Sequence, residues 1–525
     1  MLTKLKHSKS SIMERQVAII GAGISGLAAC RYCKAKGLNP IVFESESSVG
    51  GVWRKTIRTT KLQTPKHFYQ FSDFPWPASV TEDFPAQSQV FEYLQSYASH
   101  FDLLRHIRFR SQVVSIRYDG PPDAEMQAWS LWGGTNDHSN TKGKWHVTVK
   151  DQQALLTEVY QVSFVILCFG KFSNLPNIPE FPNDKGPEVF HGKVIHSAEY
   201  ASMDHTAAAN LIRDKKVAVV GFQKSALDIA MECSSVNGPE HPCTVVYRTK
   251  HWGIPYFLPF GIPLLYPYLN RFSELMVHKP GESLALSLLV SILTPLRWGI
   301  SKYIERYMTS KFGLAKFDMV PEHSFLKEIN SCSIAILPED FYNRVEKGGI
   351  KLKMSQAFCF SEKGILFDDE VESEDVDMVI LATGFKYFEK LKDIFVSPTF
   401  QSHIANASGL YRNCLHPRVP QLAVIGFSES ISNLHTSEMS CRWLAELLDG
   451  TFSLPSIKEM EDDVKEWDKY MKKYCGSYST KWCIGGLKIW YNDQLCKDMG
   501  WISKRKGGFF AELFEPYSPL DYIRP

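Results

Sequence analysis

A glycine-rich turn near the start of the chain holds residues that are suited to bind a pyrophosphate. The apolar run Val17–Ile20 precedes it, Leu27–Ala29 follows it, and a second apolar run, Ile41–Phe43, ends at Glu44. This order predicts a buried strand, a tight turn, a helix and a second strand, which together form a dinucleotide-binding unit. The predicted contacts to the dinucleotide are Gly21, Ala22, Gly23, Ile24, Ser25, Gly26 and Glu44.

These residues have separate physical roles in the predicted unit. Gly21 permits the tight turn, Gly23 lets the backbone approach the pyrophosphate, and Gly26 lets the helix pack on the strand. Backbone amides at the start of the helix bind the anion. Glu44 accepts hydrogen bonds from the ribose hydroxyls of an adenosine. The turn by itself does not distinguish FAD from NAD.

A second turn of this kind follows the apolar run Val217–Val220, but it departs from the usual pattern. Gln223 stands where the middle glycine is expected, and the next predicted strand, Cys243–Tyr247, ends in Arg248 instead of an acid. An arginine there can form a bidentate contact with a 2′-phosphate and favours NADP over NAD, although solvated cations at a strand end are the alternative. The predicted contacts are Gly221, Phe222, Gln223, Lys224, Ser225, Ala226, Arg248 and Lys250.

The composition is that of a globular protein that can bury a sizeable core. The 525 residues are 44% hydrophobic and 22% charged, and the net charge of +2 leaves no electrostatic footprint for nucleic acid. The twelve cysteines have no spacing typical of a secreted scaffold, so we expect reduced thiols, with Cys30 and Cys33 as small hydrophobic residues on a helix. Residues 1–13 have no apolar core and are expected to be flexible.

One apolar stretch, Ser283–Leu296, raises the question of membrane contact. It is shorter than the roughly 20 residues that span a bilayer, and Pro295 interrupts it. We therefore expect a core or lid helix, with contact to a membrane surface as the less favoured interpretation. The expected location is the cytoplasm, with the surface of the endoplasmic reticulum as the alternative.

Five motifs in a fixed order give the chain a family resemblance. They are the first turn, Gly50–Arg54, the F-x-G-x-x-x-H-x-x-x-Y pattern of Phe190–Tyr200, the second turn and Leu381–Phe385. From about residue 15 to about residue 450 the sequence resembles the class B flavin-containing monooxygenases. Two further stretches, Asp73–Pro77 and Ser430–Glu438, are similar to the plant branch, and within it to the pipecolate N-hydroxylase-like enzymes.

The resemblance implies an α/β fold with two Rossmann-like domains, in which an NADPH domain is inserted into an FAD domain. The FAD domain would comprise residues 14–180 and 351–525, with the late Val379–Gly384 strand returning to it. The NADPH domain would comprise residues 181–350, with an excursion at about 255–317 that covers the substrate side.

The resemblance also implies the chemistry and further site residues. NADPH reduces FAD, dioxygen forms a hydroperoxide at the flavin C4a carbon, and a nitrogen or sulfur nucleophile takes the distal oxygen. Gly51, Val52, Trp53, Gln63 and Thr64 would contact FAD, and Gln63 and His196 are the candidate catalytic residues. A helix predicted near Thr436 would direct its positive end at the reduced flavin. The histidines lack the spacing of metal ligands, so we expect no metal site.

Several functions remain open at this point. N-hydroxylation of a small amine or amino acid is favoured, and S-oxygenation of a thioether is nearly as well supported. A Baeyer–Villiger enzyme would usually have tryptophan where this chain has Tyr200, and the plant-branch stretches fit an auxin-forming enzyme less well. An NADPH-binding flavoprotein without oxygenase activity is the alternative from another class, because of Gln223.

Overall fold

A computed structural model describes residues 16–523, apart from 122–142, 173–174, 259–260, 264–265, 334, 369–371, 407–408 and 476–481. The segment 1–13, which is expected to be flexible, lies outside the described residues. The strands are β1 (Gln16–Ile20), β2 (Asn39–Phe43), β3 (Ile107–Arg108), β4 (Ser111–Asp119), β5 (Lys144–Asp151), β6 (Thr157–Val162), β7 (Phe164–Leu167), β8 (Lys193–His196), β9 (Val217–Val220), β10 (Cys243–Tyr247), β11 (Gly253–Ile254), β12 (Ala335–Ile336), β13 (Ile350–Met354), β14 (Phe358–Phe360), β15 (Gly364–Phe367), β16 (Glu374–Asp375), β17 (Met378–Leu381), β18 (Leu422–Val424), β19 (Glu429–Ser430) and β20 (Cys483–Gly485).

Helices connect these strands and extend beyond the last of them. They are α1 (Ile24–Ala35), α2 (Gln87–His100), α3 (Ser197–Ser202), α4 (His205–Ile212), α5 (Lys224–Asn237), α6 (Arg271–Leu275), α7 (Leu284–Phe312), α8 (Phe325–Asn330), α9 (Phe341–Glu346), α10 (Tyr387–Asp393), α11 (Pro398–Asn406), α12 (Asn433–Leu448), α13 (Ile457–Tyr474), α14 (Lys488–Asp498) and α15 (Phe509–Phe514).

Two five-stranded parallel sheets form the centres of two domains. Their strand orders are β18-β7-β1-β2-β3 and β13-β10-β9-β17-β8. The strands β7, β9 and β17 are buried at every position, as expected for parallel strands that are covered on both faces. Each glycine-rich turn joins the central strand of its sheet, β1 or β9, to the helix that follows. The predicted α/β fold with two Rossmann-like domains is confirmed.

The second sheet contains strands that the sequence analysis assigned to the first domain. β13 pairs with β10, and β17 lies between β9 and β8. The prediction that Val379–Gly384 returns to the first sheet is therefore wrong, and a boundary at residue 351 is too early. The chain rejoins the first sheet at β18, which pairs with β7. A short apolar run does not indicate which of two parallel sheets it joins.

Of the two expected roles of α7, a core helix or a lid helix, the first is wrong. It runs for 29 residues and continues through Pro295, with Leu288 and Ile292 64% and 66% exposed. Among the residues that the structure describes, it is the one helix long and apolar enough to cross a membrane, and 11% of its most apolar window is buried. Length and composition alone are weak grounds for a membrane span, but the exposure excludes a buried core helix.

A disulfide links Cys332, which follows α8, to Cys483 in β20 across 151 residues of chain. The expectation that every cysteine is reduced is wrong for this pair. The other ten cysteines are free. Cys30 and Cys33 are buried in α1, and burial raises the pKa of Cys30 to about 12, so this C-x-x-C pair is not a reactive dithiol.

Reduction of the Cys332–Cys483 bond is expected to destabilise the protein. Because the bond closes a long loop in the unfolded chain, its loss removes up to roughly 5 kcal/mol of stability on the chain-entropy model. Denaturant unfolding of the parent with and without dithiothreitol measures this, and the double variant C332S/C483S should match the reduced parent. The variant C359S, at a half-buried free cysteine, is the control. Equal midpoints with and without reductant would contradict the prediction.

Candidate functional site

A cavity of about 1060 Å³ lies where the two domains meet. Each domain contributes one wall, and the residues on both walls include many that the sequence analysis selected. The predicted site residues that line it are Val52, Trp53, Gln63, Thr64, Gly221, Phe222, Gln223, Lys224, Ser225 and Arg248. The remaining predicted residues are not among those that line this cavity.

The first turn has the geometry that a bound pyrophosphate needs. Gly21 has a φ of +104°, and a Cβ on Gly26 would stand 1.8 Å from the carbonyl oxygen of Gly21. The Glu44 carboxylate accepts hydrogen bonds from the backbone N–H of Ala22 at 2.7 Å and of Glu46 at 2.8 Å. This ties the end of β2 to the turn. Glu44 is therefore held next to the predicted adenosine position.

The helices that follow the two turns begin without a side-chain cap. Gly23 and Gln223 occupy the cap positions of α1 and α5, and neither accepts a side-chain hydrogen bond from the helix. By contrast, the side chains of Asp204 and Ser324 cap α4 and α8. Free amides at a helix start form an anion site, so both turns fit the pyrophosphate of a dinucleotide.

The second turn differs from the first in what its polar side chains contact. Gly221 has a φ of +133°, as the turn requires. The Gln223 amide donates to the carbonyl oxygen of Ser333 at 3.2 Å, which links α5 to the segment before β12. Lys224 forms an ion pair with Asp228 at 2.5 Å. The charge of Lys224 therefore already has a partner.

The cations after β10 are not equivalent. Lys250 is paired with Asp318 at 2.8 Å, whereas Arg248 is exposed at the cavity and its backbone carbonyl accepts from Gln356. Arg248 is thus the better placed of the two for a 2′-phosphate.

Gln63 and Thr64 both lie on the cavity wall. The Gln63 carbonyl oxygen accepts a hydrogen bond from the backbone N–H of Ile336 at 3.4 Å, which joins the two walls. The Thr64 hydroxyl donates to the carbonyl oxygen of Ile431 at 2.6 Å, just before α12 begins. α12 begins at Asn433, three residues before the predicted Thr436, and Asn433 also lines the cavity.

The other candidate catalytic residue, His196, lies behind the wall. Its Nδ1 accepts from the backbone N–H of Ala198 at 3.1 Å and so caps α3. Its ring packs edge-on against Phe385, which does line the cavity. Burial lowers the pKa of His196, and the Gly384 backbone opposes this shift only in part. In this position His196 is a neutral structural cap.

Sequence reasoning missed an acid on the cavity wall. Glu429 in β19 lines the cavity and forms an ion pair with Lys171 at 2.6 Å. Lys171 is buried, and this burial lowers its pKa although Glu429 acts in the opposite direction. No local pattern identifies this pair, because 258 residues separate its members.

A family model described as flavin-binding monooxygenase-like matches residues 14–501. The chain belongs to this family. The flavin monooxygenase is 41% identical over 518 residues to "Probable flavin-containing monooxygenase 1" of Arabidopsis thaliana, covering 97% of this chain and 96% of the relative. It is 30% identical to "Dimethylaniline monooxygenase [N-oxide-forming] 2" of Mus musculus, covering 93% of this chain and 83% of the relative. An S-allyl-L-cysteine S-oxygenase from Allium sativum has a similar fold, with a TM-score of 0.57 at 18% identity. The match covers 93% of this chain and 89% of the Allium chain.

The family establishes the reaction class of this enzyme. The chain is an oxidoreductase of the flavin-containing monooxygenase family, it depends on FAD and NADPH, and it is similar to plant members along its length. A small-molecule substrate and dioxygen follow from that class. The prediction of both cofactors is confirmed, and the two uncapped turns are the parts of this structure that fit them.

Proposed function

We propose that this monooxygenase N-oxygenates a small amine or amino acid. The observation that carries the proposal is the Glu429 carboxylate on the wall of the cavity between the two domains. A carboxylate in such a place binds an ammonium group by a charge-assisted hydrogen bond. A thioether that carries no amino group gains nothing from it.

The residues of the chain orient and enclose the substrate in this proposal. Glu429 forms a hydrogen bond with the amino group and orients its nitrogen for reaction. The rings of Phe84 and Tyr256, 4.2 Å apart, pack beside the cavity and reduce its contact with water. FAD, when bound, supplies the activation of dioxygen after reduction by NADPH.

The relatives support both nitrogen and sulfur as the acceptor atom. The mouse relative is named for N-oxide formation and is 30% identical, whereas the Allium enzyme is named for S-oxygenation and shows similarity of fold at 18% identity. The relative named for N-oxide formation is thus more similar in sequence to this chain than the one named for S-oxygenation. S-oxygenation of a thioether is therefore the second candidate, and auxin-forming and Baeyer–Villiger activities follow it.

The variant E429Q separates the two acceptor atoms. Loss of a charged hydrogen bond costs about 1.5–3 kcal/mol, so kcat/KM for amines is expected to fall about 10- to 150-fold. The kcat/KM for thioethers that carry no amino group should stay unchanged. NADPH-reduced enzyme is mixed with air and each substrate in turn, and oxygenated product is counted against NADPH consumed. FAD content and melting temperature confirm that the variant folds, because Glu429 also pairs with Lys171.

The matched control is E180Q, at a second acid that lines the cavity and is exposed. It is expected to leave amine turnover unchanged. Equal loss for amines and thioethers in E429Q would assign Glu429 a structural role and remove the observation that supports N-oxygenation. Consumption of NADPH with peroxide release and no product for any amine or thioether would support a flavoprotein without oxygenase activity.

We also propose that the enzyme binds the surface of the endoplasmic reticulum through α7. Its exposed side chains include Leu284, Leu288 and Ile292, and Arg306 and Lys311 are exposed farther along the helix. Apolar side chains with nearby cations are typical of helices that lie in an anionic lipid interface.

Replacement of two of these apolar side chains is expected to weaken lipid binding strongly. In L288Q/I292Q, two apolar side chains no longer insert into the lipid. This loss costs about 3 kcal/mol or more, which weakens binding about a hundredfold. Flotation with vesicles of phosphatidylcholine and phosphatidylserine measures this. The control L155Q replaces a leucine that is 73% exposed in the turn between β5 and β6. A parent protein that does not float with these vesicles would refute the proposal.

A further inference from the structure

Two histidines and a glutamate from separate elements meet beside the second turn. His251 follows β10, His323 precedes α8, and Glu328 lies in α8. One potential ligand atom from each residue lies within 4.8 Å of the others. The expectation of no metal ligands rested on histidine spacing along the chain, and this cluster has no such spacing because the fold assembles it.

The donor atoms of the cluster already face one another. His251 Nδ1 lies 2.8 Å from one oxygen of Glu328, and His323 Nε2 contacts the other oxygen. Ligand atoms around a tetrahedral Zn²⁺ are about 3.3 Å apart, given bond lengths of about 2.0–2.1 Å. A small widening of the cluster therefore accommodates the ion. The Glu328 side chain is fully buried, and a buried carboxylate is stabilised by a cation.

The surroundings of the cluster also suit a metal ion. The Trp252 indole donates to the carbonyl oxygen of His323 at 2.7 Å and so fixes this ligand. His323 lines a second cavity, of about 470 Å³, and His251 lines the large cavity between the domains. These two openings provide an entry path and room for a water molecule as the fourth ligand.

We propose that His251, His323 and Glu328 form a binding site for a divalent transition metal ion, with Zn²⁺ as the ion that this donor set fits best. The two imidazole donors select such ions over Ca²⁺ or Mg²⁺, which prefer oxygen ligands. The ion would join the segment after β10, which carries Arg248, to α8. It therefore has a positioning role for the predicted 2′-phosphate contact, and it takes no part in oxygen transfer.

Metal binding to the FAD-loaded enzyme tests the site without any measurement of turnover. The enzyme is dialysed against EDTA, titrated with Zn²⁺ by calorimetry, and its metal content is measured after gel filtration. We expect one Zn²⁺ per chain in the parent, and at least about tenfold weaker binding in H251Q and in H323Q. If one of these variants does not fold, the other still tests the site.

The matched control is H278Q, since His278 pairs with Glu282 at 2.6 Å but no second histidine completes that pair among the described residues. It is expected to bind Zn²⁺ as the parent does. Absence of stoichiometric Zn²⁺ in the parent, or unchanged affinity in both H251Q and H323Q, would overturn the site. If the site is confirmed, Zn²⁺ should tighten NADP⁺ binding to the parent, and an equal NADP⁺ affinity with Zn²⁺ and with EDTA would overturn its positioning role.

Discussion

The variant G23A is expected to fold like the parent and to lose most of its FAD. At Gly23 the φ is −77°, and an added Cβ would lie 3.5 Å from the nearest atom, the Cα of Gly51, which is an ordinary contact. The protein itself therefore accepts alanine there. The methyl group would instead occupy the space through which the pyrophosphate approaches the backbone. Such overpacking costs about 1–3 kcal/mol, which weakens FAD binding about 5- to 150-fold.

The flavin absorbance of the purified variant and its reconstitution with added FAD measure this loss. The control G299A adds a methyl group in α7, where nothing lies within 4 Å, and it should retain the parent's FAD content. Gly26 is unsuitable for this test, because its Cβ would collide with the turn itself. A G23A protein with full FAD content and unchanged affinity would show that the pyrophosphate lies elsewhere.

The variant R248A is expected to lose the preference for NADPH over NADH. A charged hydrogen bond to the 2′-phosphate contributes about 1.5–3 kcal/mol, so KM for NADPH should rise about 10- to 150-fold. KM for NADH should stay within a small factor of the parent's value, because NADH lacks that phosphate. Anaerobic flavin reduction at a series of NADPH and NADH concentrations measures both constants.

The comparison for R248A is K250A, because Lys250 carries the same charge two residues away but is already paired with Asp318. We expect a smaller rise in KM for NADPH in K250A. An R248A enzyme that still prefers NADPH as strongly as the parent would remove Arg248 from the site. A large effect in K250A alone would transfer the role to that residue.

The effects of G23A and R248A are expected to be independent. Gly23 follows β1 of the first sheet and is predicted to contact FAD, whereas Arg248 follows β10 of the second sheet and is predicted to contact NADPH. G23A removes the oxidised flavin itself, whereas R248A leaves the enzyme yellow and slows its reduction. A purified R248A protein without FAD would therefore indicate general damage to the fold instead of a specific loss of NADPH binding.

Much of the cofactor chemistry could be predicted because it depends on neighbours in the chain. Gly21 and Gly221 both adopt positive φ, which residues other than glycine rarely do, so the turns are visible in the sequence. The strands before and after each turn are short apolar runs, and the structure has them in the predicted order. Arg248 at the end of β10 follows from the same local pattern.

The predictions that failed required knowledge of distant partners. The placement of β17 in the second sheet depends on β8 and β9, and the exposure of α7 depends on the absence of a covering element at Leu288 in the described structure. The disulfide of Cys332 joins positions that no periodic pattern relates. An apolar run has the same composition whether it is buried, exposed or in contact with lipid.

Two dinucleotide-binding turns and their order could be read from the sequence, because short-range backbone geometry and the space required by a Cβ atom encode them locally. The flavin-dependent monooxygenase that uses FAD and NADPH followed from the family resemblance of five ordered motifs. Which cations remain available depends on the packed structure, since Lys224 and Lys250 pair with acids whereas Arg248 faces the cavity. The packed structure also brought Glu429 to the substrate wall and His251 to Glu328, because such contacts arise only when separate elements pack together.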